Sequence, residues 1–121
     1  MAKLLKTDGS ESFIYPLDKR EGFTLEELYF ILECDTIQTV RLGKDYAMIL
    51  DEESKLKEGA VLNQAATDLY ESYTGAKRYF EDMAQRAKTD DSIMFISGED
   101  TGFAPHEIVG HALVCKNSEF L

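Results

Sequence analysis

Five consecutive apolar residues, Tyr46-Ala47-Met48-Ile49-Leu50, are bracketed by Asp45 and by Asp51-Glu52-Glu53. A half-exposed strand alternates apolar and polar residues, because successive side chains point to opposite faces. A run with no polar member leaves no face for water. Residues 46–50 therefore read as a central strand covered on both sides, with the acids after it closing the strand in solvent. Such a strand commits the chain to a sheet with other elements packed on it. The 121 residues are enough for one domain with a modest core.

The flanking segments supply those elements. Val40 and Leu42 alternate with Thr39 and Arg41, and Gly43-Lys44 turns the chain into the apolar run, so 36–50 read as a hairpin. Leu4-Leu5 and Phe13-Ile14-Tyr15 flank Asp8-Gly9-Ser10, which predicts a second hairpin over 2–17, with Pro16 marking an edge. Thr24 with Glu27 three residues on is a capping box. Phe23 can staple onto Leu28, and Leu25, Leu28, Tyr29 and Leu32 have helical spacing, so a short helix over 25–33 is expected.

Asn63 can cap a longer helix. Leu62, Ala66, Leu69, Tyr73, Ala76, Phe80, Met83 and Ala87 recur at helical spacing, with Thr74-Gly75 as a kink or division. This 62–87 seam can pack on the sheet or pair with a second copy. Ile93-Met94-Phe95-Ile96 has strand character ahead of a loop, and Ile108–Cys115 reads as the final strand. The order ββαββαβ predicts one α+β domain over 1–121: a mixed or antiparallel sheet of about five strands with two packed helices.

Charge narrows the partners. There are 23 acidic and 13 basic residues, a net charge of -10, and no segment concentrates the bases. Binding to a nucleic-acid backbone or an anionic membrane is disfavoured, since either needs clustered Lys and Arg. No apolar run is long enough for a transmembrane helix or a signal peptide, and the expected compartment is the cytoplasm. Cys34 and Cys115 stand alone and read as buried thiols.

Catalytic motifs are weak. His106 and His111 lie five apart, whereas zinc-binding helices space histidines by four to put both rings on one face. The 97–103 loop holds Glu99 and Asp100 but lacks the ligand pattern of a calcium loop and the lysine of a phosphate loop. No Gly-x-Ser-x-Gly elbow occurs. No catalytic residue, metal site or cofactor is expected. Tyr70 and Tyr73, one helical turn apart, are candidates for a binding patch, as are His106, Glu99 and Asp100. An anionic ligand would need local positive charge, for which Arg41, Lys77 and Arg78 are the candidates.

Two stretches resemble the DUF3846 family, small proteins of phages, plasmids and gut-bacterial mobile elements: Tyr46–Tyr70 and His106–Cys115. Asn63, Ala66, Thr67, Leu69, Tyr70, Ile108, Val109, Gly110 and Ala112 carry the likeness, and 71–104 stands as an insertion between the blocks. The resemblance implies an accessory protein of a mobile element, with no catalytic residue to transfer, and it marks Asn63 and Thr67 for attention. The expected function is a non-enzymatic accessory or protein-interaction domain, with a protein partner or a homodimer through the 62–87 seam. The alternatives are a small-molecule or nucleotide binding or sequestering protein and an acidic inhibitor that mimics DNA.

Overall fold

The computed structural model describes residues 2–18, 20, 22–89, 103 and 106–119, with the backbone alone at 76, 80, 84, 87–89 and 119. Strands β1 (Ala2–Leu5) and β2 (Glu11–Ile14) form the first hairpin. Gly9, at φ 90°, turns it. Ser10 donates from both its backbone and its hydroxyl to Asp8, which holds that carboxyl below the usual carboxylate range. Strands β3 (Ile37–Leu42) and β4 (Tyr46–Asp51) form the second hairpin.

Strand β5 (Ala112–Lys116) lies between the hairpins, pairing with β1 on one side and β4 on the other. The sheet runs β2-β1-β5-β4-β3 and is antiparallel throughout. The fold class is α+β, with three helices rather than the two expected.

Both faces of the sheet are covered, as the apolar run requires. On one face Leu4, Ile49, Leu113 and Cys115 pack with Leu28 and Leu32 of helix α1 (Leu25–Leu32). On the other Leu5, Met48, Leu50 and Ala112 pack with Ala66 of helix α2 (Gln64–Thr74). Helix α1 starts as its capping box dictates, with Thr24 Oγ1 accepting from the backbone N–H of Glu27, and Phe23 is buried in the same cluster as Leu28. Glu33, at φ 53°, ends it in the left-handed region.

Two expectations need correction, the solvation of Asp51 and the start of the last strand, and one stated alternative is decided. Asp51 does not lie in solvent: it is buried at the end of β4 and ion-paired with Lys57. That pairing raises the Lys57 ammonium above its usual range. Of the kink or division expected at Thr74-Gly75 within the 62–87 stripe, the structure has the division. Gly75, at φ 62°, caps α2, and a separate helix α3 (Ala76–Thr89) follows. The last strand begins at Ala112 and not at Ile108, because Gly110 at φ 81° breaks the run and Val109 forms only an isolated bridge to Leu62. The strand expected at 93–96 falls outside the described residues. Among the described residues no helix is long and apolar enough to cross a membrane.

Candidate functional site: an aromatic groove

Alternation places Phe13, Lys3, Val114 and Met48 in one row across the face that α2 covers, since Lys3 pairs with both Phe13 and Val114 and Met48 pairs with Val114. The next row outward holds Lys116 opposite Tyr46 and Tyr46 opposite Leu42. Helix α2 shields Met48, Leu50 and Ala112, then stops at Gly75. Phe13 and Tyr46 remain 59% and 38% exposed.

A groove of about 360 Å³ results, walled by Phe13, Tyr46, Leu69 and Tyr73, floored by Val114 and edged by Lys3 and Lys116. Gly43 helps to set its wall. A Cβ built there would lie 3.4 Å from the Tyr73 ring, so the bare backbone of the β3–β4 turn is the surface on which that ring rests. Lys3 reaches Glu11 at 3.4 Å, with both side chains over two-fifths exposed, and stands 5.7 Å from the centre of the Phe13 ring.

The residues singled out from sequence are divided by the fold. Tyr73 walls the groove and is 49% exposed. Tyr70, one turn earlier, packs into the cluster beneath α2. Asn63 and Thr67 are buried, and their polar atoms are spent inside the fold. Asn63 Nδ2 donates to the carbonyls of Leu5 (2.9 Å) and Gly110 (2.8 Å), while Oδ1 accepts from Ala66 N. Thr67 Oγ1 donates to the Asn63 carbonyl and accepts from Ile108 N, both at 2.8 Å.

His106 sits in a turn, partly buried. Glu99 and Asp100 lie outside the described residues. Arg41 lies on edge strand β3, and Lys77 and Arg78 are exposed on α3. The lysines at the groove are instead Lys3 and Lys116. Their placement depends on β5 entering between β1 and β4, which no local pattern announces.

A second, more polar cleft of about 230 Å³ lies where the 106–111 segment meets the end of β4, lined by Thr7, Asp51, Ser54, Lys57 and His111 among others. His111 Nδ1 accepts from Thr7 N at 3.3 Å, so in this geometry the other ring nitrogen carries the proton. Asp51 is held by Lys57 and by the backbone N–H of Glu53. Burial, aided by the charge of Asp51, pushes the Cys34 thiol up, which disfavours the reactive thiolate. Among the described residues no three His, Cys, Asp or Glu side chains converge to hold a metal ion.

Fold and site thus define an α+β domain with helices on both faces of an antiparallel sheet and an aromatic groove at the end of one helix. No family model, curated protein or solved structure matches this chain.

Proposed function

We propose that this protein is a non-enzymatic accessory domain that works by binding, with the aromatic groove as its contact surface. The observation that carries the reading is the grouping of exposed Phe13, Tyr46 and Tyr73 around one concavity. Exposed rings cost free energy in water, and a fold that gathers several on one surface gains when a partner covers them. Accessory service to a mobile element is the context that the DUF3846 likeness implies.

A second reading, binding or sequestering a small molecule, is favoured by the dimensions of the groove. Its 360 Å³ falls in the range of small-ligand sites, while protein interfaces are broader and flatter.

Native mass spectrometry of wild type and Tyr73→Ala, both recovered gently from a bacterial lysate, tests the proposal. A mass retained by wild type and lost from Tyr73→Ala supports the groove. A mass below about 1 kDa selects the small-molecule reading, since that is the size such sites enclose. A protein mass, or a second copy of the chain, selects the interaction reading. Equal retention by both proteins would move the contact surface elsewhere.

A further inference from the structure

We infer that the α1 side of the molecule carries a second contact surface, which docks a basic segment of a partner protein through an apolar anchor. This surface is independent of the groove, which lies on the face that α2 covers. A cleft of about 610 Å³ opens between the first hairpin, at Leu4 and Ile14, and the end of α1 with Glu33, Cys34 and Asp35 after it. Leu28 and Leu32, four residues apart, face the sheet, which turns Phe30 outward between them. Phe30 lines the cleft yet is 85% exposed, so a partner that covers its ring removes apolar surface from water.

The rim sets the sign of the partner. Glu33 and Asp35 stand exposed at the cleft. Glu52 and Glu58, also exposed, are their neighbours: Glu52 N donates to the carbonyl of Thr36, and Glu58 lines the polar cleft alongside Glu33. None of these four carboxylates has an ion pair or a hydrogen bond among the described residues. Lys57, the one base among the described lining residues, is already paired with buried Asp51 and donates to the Glu33 carbonyl at 3.5 Å. Free negative charge therefore surrounds an exposed ring, in a chain whose net charge is -10.

That pattern selects among occupants. A second copy carries the same excess of acid and is repelled over its whole surface. A small ammonium compound would meet Glu33 and Asp35 but would leave Glu52 and Glu58 unmatched. A peptide segment with several Lys or Arg around an apolar side chain meets the ring and the four carboxylates together. Opposite charge also steers such a partner to this surface and speeds the encounter.

The test is an amide NMR titration of the full chain with a blocked peptide, Arg-Leu-Arg-Phe-Arg-Leu-Arg, and two counterparts. One has every Arg replaced by Glu, and the other has every apolar residue replaced by Ser. The basic apolar peptide is expected to shift the amides of Phe30, Glu33, Asp35 and Glu52, and to lose affinity as salt is raised. The glutamate peptide should shift none of them, and the serine peptide should bind on the order of tenfold more weakly. Phe30→Ser should weaken the basic apolar peptide by a similar factor. Glu33→Gln and Asp35→Asn should each weaken it about two- to fivefold, the worth of an exposed ion pair. Glu81→Gln, on exposed α3, should leave its affinity unchanged. Equal losses from Glu81→Gln and Glu33→Gln would mean attraction to the acidic surface at large and would overturn the site. Equal binding of the serine peptide would overturn the apolar anchor, and no shift with any peptide would overturn the whole inference. Shifts at Phe13, Tyr46 and Tyr73 in place of Phe30 would give the peptide to the groove, which overturns this surface and supports the proposed function. Shifts at Phe30 on concentrating the free protein would make a second copy the occupant and overturn the basic partner.

Discussion

The side chain of Asn63 ties together three parts of the chain: its own helix, the end of β1 at Leu5 and the turn at Gly110. An Asn at a helix N-cap usually satisfies one backbone donor. Here the amide nitrogen also supplies both of its protons to carbonyls that no local structure would serve. Asn63→Ala removes the cap and two buried donors together, for an expected loss of roughly 3 kcal/mol in urea unfolding. Asn63→Asp keeps the capping oxygen but turns a second oxygen toward the two carbonyls. A carboxylate caged in this way has its folded-state pKa raised above the unfolded value of about 3.9. The neutral acid is tolerated below that value, and stability is lost as pH rises through the folded pKa. Unfolding midpoints at pH 4 and pH 7 should therefore show the deficit of Asn63→Asp growing with pH, while that of Asn63→Ala stays level. A deficit independent of pH would remove the two carbonyls from the explanation.

At the scale of elements, two glycines with similar backbone angles do different work. Gly75 (φ 62°) ends α2, and a Cβ there would meet nothing within 4 Å. Gly43 (φ 68°) turns β3 into β4, and a Cβ there would touch the Tyr73 ring at 3.4 Å, van der Waals contact. Alanine at either position takes a left-handed conformation that costs about 1 kcal/mol. The expected outcome is similar destabilisation by Gly75→Ala and Gly43→Ala in urea melts. Only Gly43→Ala should change the mass retained in native mass spectrometry, because only its added methyl group meets a groove wall. Matching losses of binding would show that the Tyr73 contact with the turn does not shape the groove.

For the whole molecule, β5 is the piece that makes one sheet from two hairpins, and Leu113, its second residue, is fully buried. Leu113→Ala should cost about 2–5 kcal/mol, the range for a large buried side chain cut to a methyl. Hydrogen exchange should follow the same architecture. Amides of β4 and β5, paired on both sides, exchange through global opening. Amides of α3 should exchange much faster, since its described side chains are almost all exposed and α2 is its principal described neighbour. Protection in α3 equal to that of β5 would mean that α3 belongs to the same cooperative unit.

Elements whose reasons are local were legible in the residues alone. The capping box at Thr24, the turn at Asp8-Gly9-Ser10, the helix start at Asn63 and the two-sided burial of 46–50 each follow from a few adjacent residues, and the structure shows all of them except at Tyr46, which opens onto the groove. The division at Gly75 was marked by its glycine. Whether the chain bends or starts a new helix there depends on the angle that glycine adopts. Tertiary structure decided what distant segments do to one another. Asp51 looked like a solvated acid until Lys57 and the chain around it buried its side chain. Asn63 and Thr67 looked available for a ligand until Leu5, Ile108 and Gly110 claimed their polar atoms. The groove is the clearest case. Lys3, Phe13, Tyr46, Tyr73 and Lys116 come from both ends and the middle of the chain, and they share a face only because β5 enters between β1 and β4. Periodicity can tell which side of its own strand a residue takes, but strand order follows from the packing of the whole sheet, which is a property of no single segment.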